Sequence, residues 1–218
     1  MTKVAVILSG CGQMDGSEIQ EAVLSLLALD QANITVEAFA PNISQTLVFN
    51  HLSRHNEESS RNVLVESARI MRGKIKAITV ADPTNYDGVV IPGGIGSITN
   101  LCDFDTNNTN YTLEKSFNKF ISIIVEMKKP IIFICIAPVM IPKIYFNKKP
   151  KMTIGNDQNL AKQMESLGAI HIITSADEVV VDEKNKIIST PANMVAKSVS
   201  EVYKGINKSV HTMQRLFF

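Results

Sequence analysis

Cys135 lies in the segment of the chain best suited to nucleophilic chemistry. Residues 130–138, PIIFICIAP, predict a buried strand that ends at this cysteine, and Pro138 suits the first turn of a following helix. A side chain on such a turn stands above the carboxyl edge of a sheet, where free N–H groups favour a thiolate. We therefore expect a reactive thiol with a pKa below its ordinary value of about 8.5, and an inert buried thiol is the alternative.

Two other segments supply groups that could assist a cysteine. Residues 87–96 predict a second buried strand, followed by Gly93 and Gly94, whose unhindered N–H groups suit an oxyanion hole. Glu18 and Glu21 open the first predicted helix, and either carboxyl could reach the sulfur as a general acid–base. The alternatives are an ordinary strand-to-helix turn and two acidic residues that stabilise the helix dipole.

Short apolar runs alternate with amphipathic stretches, which predicts βαβ units around a mostly parallel sheet with both faces buried. The predicted strands are 4–8, 34–39, 75–79, 88–91, 131–135, 151–154 and 169–173, with 88–91 and 131–135 as a central pair. The predicted helices are 18–29, 62–72, 113–127, 159–167 and 193–205. Residues 178–190 predict a β-hairpin around a polar turn near the sheet edge.

The composition is that of an ordinary globular protein, and we expect one domain over residues 1–218. The formal net charge of +1, with one short lysine cluster at 148–151, argues against nucleic acid and membrane partners. Three cysteines without a CxxC pair indicate reduced thiols and a cytoplasmic location. His51 and His55 have helical spacing but no third ligand beside them, so we expect no metal site.

Seven segments, in order along the chain, resemble the ElbB family (enhancing lycopene biosynthesis) of the PfpI-type, class I glutamine amidotransferase-like superfamily. The segments are VAVILSGCG, DGSEIQEAVLSLLAL, SRNVLVESARIMRG, DGVVIPGGIG, ICIAP, MTIGND and VVVDEKNKIISTPA. The resemblance implies a flavodoxin-like three-layer α/β sandwich, a homodimer and a genetic link to isoprenoid synthesis. It also implies weak glyoxalase activity, without a cofactor, that converts glyoxal-type dicarbonyls to hydroxy acids.

Carried onto this sequence, the resemblance makes Cys135 the elbow nucleophile, and Gly93, Gly94 and Ile136 the substrate-binding residues. Glu21 is the expected catalytic carboxyl, with Glu18 as its substitute. The superfamily's triad histidine is absent, because position 136 is isoleucine and the later loop, 153–157, reads TIGND.

These departures leave three functions in competition. A glyoxalase-like lyase needs only a thiol and a carboxyl, and its substrate would be a small dicarbonyl or other electrophilic metabolite. A non-catalytic or redox-sensing thiol protein is the second hypothesis. A glutaminase-type amidotransferase is the third, and the missing imidazole argues against it.

Overall fold

A computed structural model of the chain describes residues 2–218. Within them the strands are β1 (Lys3–Ile7), β2 (Thr35–Ala40), β3 (Phe49–Asn50), β4 (His55–Asn56), β5 (Ile75–Ala77), β6 (Gly88–Ile91), β7 (Ile131–Ile134), β8 (Lys151–Met152), β9 (Ile170–His171), β10 (Val180–Asp182) and β11 (Ile187–Thr190). The α-helices are α1 (Ile19–Gln31), α2 (Val63–Ile70), α3 (Gly96–Thr99), α4 (Phe104–Asn107), α5 (Lys115–Glu126), α6 (Ile141–Ile144), α7 (Gln158–Ser166) and α8 (Val199–Phe217). None of the helices in this range is both long and apolar enough to cross a bilayer.

Seven strands form one sheet in the order β10-β11-β7-β6-β1-β2-β5. All neighbours are parallel except β10 and β11, which form the predicted antiparallel hairpin. Every residue of β6 and β7 is buried, so helices and loops cover both faces of the sheet. These observations confirm the predicted α/β sandwich, and β6 and β7 pair side by side as expected.

The predicted strands at 151–154 and 169–173 are wrong in length and in place. Only two residues of each are extended, and they pair with each other outside the main sheet. Side-chain oxygens accept hydrogen bonds from the backbone N–H groups that a longer strand would pair with a neighbouring strand. The Lys151 N–H donates to the Asp182 carboxylate at 2.9 Å, and the Thr153 N–H donates to Ser189 Oγ at 3.0 Å.

The last helix also differs from its prediction. It begins at Val199 rather than at position 193, and it continues to Phe217 rather than ending at Gly205. Ser198 caps it by accepting the Glu201 N–H, and a serine followed three residues later by a glutamate is a recognised start signal. Residues 192–194 form a short 3₁₀ turn instead, which places Asn193 in a loop at the carboxyl edge of the sheet.

Candidate active site

Cys135 occupies a sharp turn directly after β7. Its φ of +62° lies in the left-handed region, which is uncommon for residues other than glycine and costs on the order of 1 kcal/mol. The Cys135 N–H donates to the Thr190 carbonyl at 2.9 Å and so extends the β7 and β11 pairing by one residue. A 3₁₀ turn at Ala137–Met140 and then α6 follow. The predicted elbow is present, with a 3₁₀ turn in place of the first helical turn.

Glu21 projects from the first turn of α1 into the interior and is fully buried. Its Oε2 accepts the Gly93 N–H at 3.0 Å, and its Oε1 accepts the Asn193 N–H at 3.3 Å and Nδ2 at 2.9 Å. Gly93 packs against both this carboxyl and Cys135. A Cβ added to Gly93 would lie 2.4 Å from the Cys135 Cβ and 2.6 Å from the Glu21 Oε2. The two candidate reactive groups are therefore neighbours.

Burial sets the proton affinity of both groups. It raises the pKa of Glu21 to about 7, with a smaller contribution from the charge of Glu18 and opposing hydrogen bonds from Cys135 and Asn193. Burial also raises the pKa of the Cys135 thiol well above its ordinary value, and the adjacent Glu21 charge adds to this. The expectation of a lowered cysteine pKa is therefore wrong. With 7% of the residue exposed, desolvation outweighs the N–H groups that favour the thiolate.

Two backbone donors face the sulfur. The N–H groups of Gly94 and Ile136 both oppose the rise in the pKa of Cys135, because they hydrogen-bond to its charged form. The Gly93 N–H is held by Glu21 and is unavailable to an oxyanion while that hydrogen bond lasts. The N–H groups that face the sulfur, and that could serve as oxyanion donors, are therefore those of Gly94 and Ile136.

Glu18 lies beside the site and does not face the thiol. Its carboxylate caps α1 by accepting the Glu21 N–H at 2.7 Å, and its own N–H donates to the Gly93 carbonyl at 2.9 Å. Both contacts hold the neighbours of the candidate pair in place. The structure thus brings Glu21, rather than its substitute, against Cys135.

Asn193 is the residue at this site that the sequence analysis missed. It supplies two of the three N–H donors to the Glu21 carboxylate, and it follows β11, 58 positions after Cys135 along the chain. The sequence does carry a signal for this position, the helix cap at Ser198. A helix that starts there leaves Asn193 in a loop.

The histidines lie elsewhere. Across residues 2–218 none hydrogen-bonds to Cys135 or Glu21; His51 Nε2 accepts the Met14 N–H at 3.3 Å, and His171 Nε2 accepts the Ile154 N–H at 3.3 Å. The same range contains no group of three or more His, Cys, Asp or Glu side chains that could hold a metal ion.

The raised pKa of Glu21 predicts a pH-dependent stability. The folded protein binds this proton more tightly than the unfolded chain, whose carboxyl has the ordinary pKa of 4.5. Below about pH 4.5 the proton on Glu21 therefore makes its full contribution to the free energy of unfolding, on the order of 3 kcal/mol. This contribution is lost as the pH rises through 7. We expect urea unfolding between pH 5 and 8 to show this loss in wild type and not in Glu21→Gln.

Glu183→Gln, at an exposed turn, is the matched control and should keep the wild-type pH dependence. A Glu21→Gln variant with an unchanged slope would show that the carboxyl titrates normally in the folded protein.

The fold is that of the amidotransferase-like α/β proteins. Drosophila melanogaster DJ-1beta shares the fold with a TM-score of 0.57 and 16% identity, over 99% of this chain and 90% of that one. A structure from Ehrlichia chaffeensis, described as an isoprenoid biosynthesis protein with an amidotransferase-like domain, is much more similar. Its TM-score is 0.91 and its identity 36%, over 98% of this chain and 99% of that one.

Curated relatives agree with this assignment. The rat "ES1 protein homolog, mitochondrial" is 36% identical over 98% of this chain and 84% of its own length. The human "glutamine amidotransferase-like class 1 domain-containing protein 3, mitochondrial" is 35% identical over 98% of this chain and 83% of its own length. The chain belongs to the ElbB/ES1 family of amidotransferase-like proteins. No model of a protein family matches it.

Proposed function

We propose that this protein is a cofactor-independent, glyoxalase-like lyase that converts small dicarbonyls to hydroxy acids. One observation carries the proposal: a buried carboxyl with a pKa of about 7 adjoins a cysteine that two backbone N–H groups face. A carboxyl with this pKa exchanges protons readily at neutral pH, which is what movement of hydrogen between adjacent carbons requires. We also propose a homodimer in a reducing, cytoplasm-like compartment.

The first step is addition of the sulfur to the aldehyde carbon. The Cys135 thiol gives its proton to the Glu21 carboxylate as the carbon–sulfur bond forms. The negative charge moves to the carbonyl oxygen, where the N–H groups of Gly94 and Ile136 stabilise it. Glu21 then protonates this oxygen, and the product is a hemithioacetal. The raised thiol pKa makes proton transfer to Glu21 part of this step, since little free thiolate exists beforehand.

The second step moves hydrogen between the two carbons. The Glu21 carboxylate removes the C–H proton of the hemithioacetal carbon, and an enediolate forms with its negative charge on the oxygen of the neighbouring carbon. Glu21 returns a proton to the neighbouring carbon, and the remaining hydroxyl proton moves to that carbon's oxygen. One carbon is oxidised to a thioester while its neighbour is reduced to an alcohol, so no external oxidant is needed. Water then hydrolyses the thioester to a hydroxy acid and restores the thiol.

The Asn193 contacts give Glu21 a fixed position during these transfers. Two N–H donors on Oε1 and one on Oε2 hold the carboxylate in one plane beside Cys135. Oxidant sensing is less well supported, because sensor thiols are exposed and have a low pKa. Cys135 has neither property.

The test is product analysis in heavy water. Methylglyoxal incubated with the protein in D₂O should give lactate that carries deuterium on C2, because the proton held by Glu21 exchanges with solvent. Glu21→Gln should form no lactate above the buffer rate, and Glu183→Gln should match wild type. Absence of lactate with wild type would refute the proposal. Lactate without deuterium would show that Glu21 does not carry the hydrogen between the two carbons.

A further inference from the structure

A cavity opens on the amino-terminal side of β7 and β11, away from Cys135. It measures about 660 Å³, which is within the range of small-molecule sites. Three loops form it: the one after α5, the one after α6 and the turn between β10 and β11. Cys135 follows the other end of β7, so the cavity and the candidate active site lie at opposite edges of the sheet.

The walls of this cavity are strongly basic. Five lysines line it together with a single carboxylate, that of Glu126; the lysines are Lys128, Lys148, Lys149, Lys184 and Lys186. The chain as a whole has a formal net charge of only +1, and with the excess of four positive charges in this wall the rest of the chain has a net charge of −3. Within residues 2–218 none of these five ammonium groups forms an ion pair with a carboxylate. Their mutual repulsion is therefore not offset by the protein's own acids.

Tyr145 gives an independent indication of a ligand. It forms part of the cavity wall with 2% of its surface exposed, and its hydroxyl is buried without a hydrogen-bond partner. A buried hydroxyl without a partner is costly, and such groups are rare in native proteins. The Lys148 ammonium lies over the Tyr145 ring, 5.7 Å from its centroid. Nearby Asp182 is already occupied, because it accepts hydrogen bonds from the Lys151 N–H and from Asn185.

We propose that this cavity is a binding site for a small polyanion that carries a diphosphate group. The excess of four positive charges matches the three to four negative charges of a diphosphate. Lysine binds phosphate oxygens as a point charge and needs no fixed planar geometry. A phosphate oxygen bound against the Tyr145 part of the wall gives the buried hydroxyl the acceptor that it lacks.

Nucleic acids and membranes fit this surface less well. Both need an extended basic face, whereas these lysines surround a concavity of small-molecule size on a chain whose formal net charge is only +1. Tyr145 is the one aromatic residue of the wall, and a lysine covers its ring, so it offers no stacking platform for bases.

Calorimetric titration with inorganic diphosphate at about 0.15 M salt tests the site. We expect saturable binding to wild type and at least about tenfold weaker binding to the double variant Lys148→Gln/Lys186→Gln. The double variant Lys119→Gln/Lys162→Gln, with two exposed lysines outside the cavity, should bind as wild type does. Absence of binding, or equal weakening in both double variants, would overturn the proposal.

Tyr145→Phe separates a ligand contact from a structural role. Removal of a hydroxyl that has no partner should leave the Tm unchanged or raise it, while diphosphate binding weakens. A lowered Tm with unchanged binding would refute the role given to this hydroxyl. Competing titrations with duplex RNA and with anionic vesicles complete the test, and tighter binding of either through Lys148 and Lys186 would refute the small-molecule assignment.

Discussion

Cys135→Ala should convert methylglyoxal at least about a thousandfold more slowly than wild type, because no covalent adduct can form without the sulfur. The substitution keeps an L-amino acid at φ +62°, so the backbone cost of the elbow is the same in both proteins. The neighbouring Glu21 and its donors also stay in place. The rate of lactate formation at saturating substrate measures the effect.

Cys11→Ala is the matched control, since Cys11 is a free thiol that is partly exposed. It should retain the wild-type rate. Urea unfolding of both variants checks that each is folded. A folded Cys135→Ala protein with wild-type turnover would remove the cysteine from the mechanism and leave Glu21 as a base acting on a hydrated substrate.

Gly205→Ala should destabilise the protein by about 2–4 kcal/mol, although alanine is the better helix former by about 1 kcal/mol. Gly205 lies inside α8, where the helix meets the loop before β10. A Cβ at this position would lie 2.1 Å from the Ala176 carbonyl oxygen and 2.6 Å from Thr190 Oγ1. Since the first of these atoms belongs to the backbone, the helix and the loop must move apart.

The free energy of unfolding from urea titrations measures this cost. His211→Ala, on the exposed side of the same helix, is the control and should change it by no more than about 0.5 kcal/mol. If Gly205→Ala stabilised the protein, the distance between α8 and the Ala176 carbonyl would have to be larger than in the structure. Thr190 also accepts the Cys135 N–H, so we expect loss of turnover in the same variant.

The elbow was predictable because its determinants are local. Four apolar residues, a cysteine and a proline three positions later specify a strand that stops at the sheet edge, and neighbours distant in sequence only complete the pairing. The resemblance to the ElbB family added Glu21, which the residues alone left equal with Glu18. The structure separates the two, because one turn of helix directs Glu21 inward while Glu18 caps the helix end.

The pKa of Cys135 could not be predicted from its local sequence. The segment indicated helix N–H groups near the sulfur, which is correct for Ile136, but the degree of burial depends on residues contributed by α1 and by the loops after β6 and β11. The short β8 and β9 strands were misjudged for a related reason. Their apolar pattern suits a sheet, and the side chains that take their N–H groups, Asp182 and Ser189, come from the distant hairpin.

Glu21, Gly94, Cys135 and Asn193 belong to four segments spread over 173 positions of the chain, and hydrogen bonds or direct packing join them. No single one of these segments contains more than one of the four residues. Catalytic competence should therefore arise in a single all-or-none event with native folding, and recovery of turnover after dilution from urea should follow the same time course as recovery of tertiary structure. Enzymatic assay then doubles as a reporter of the native population.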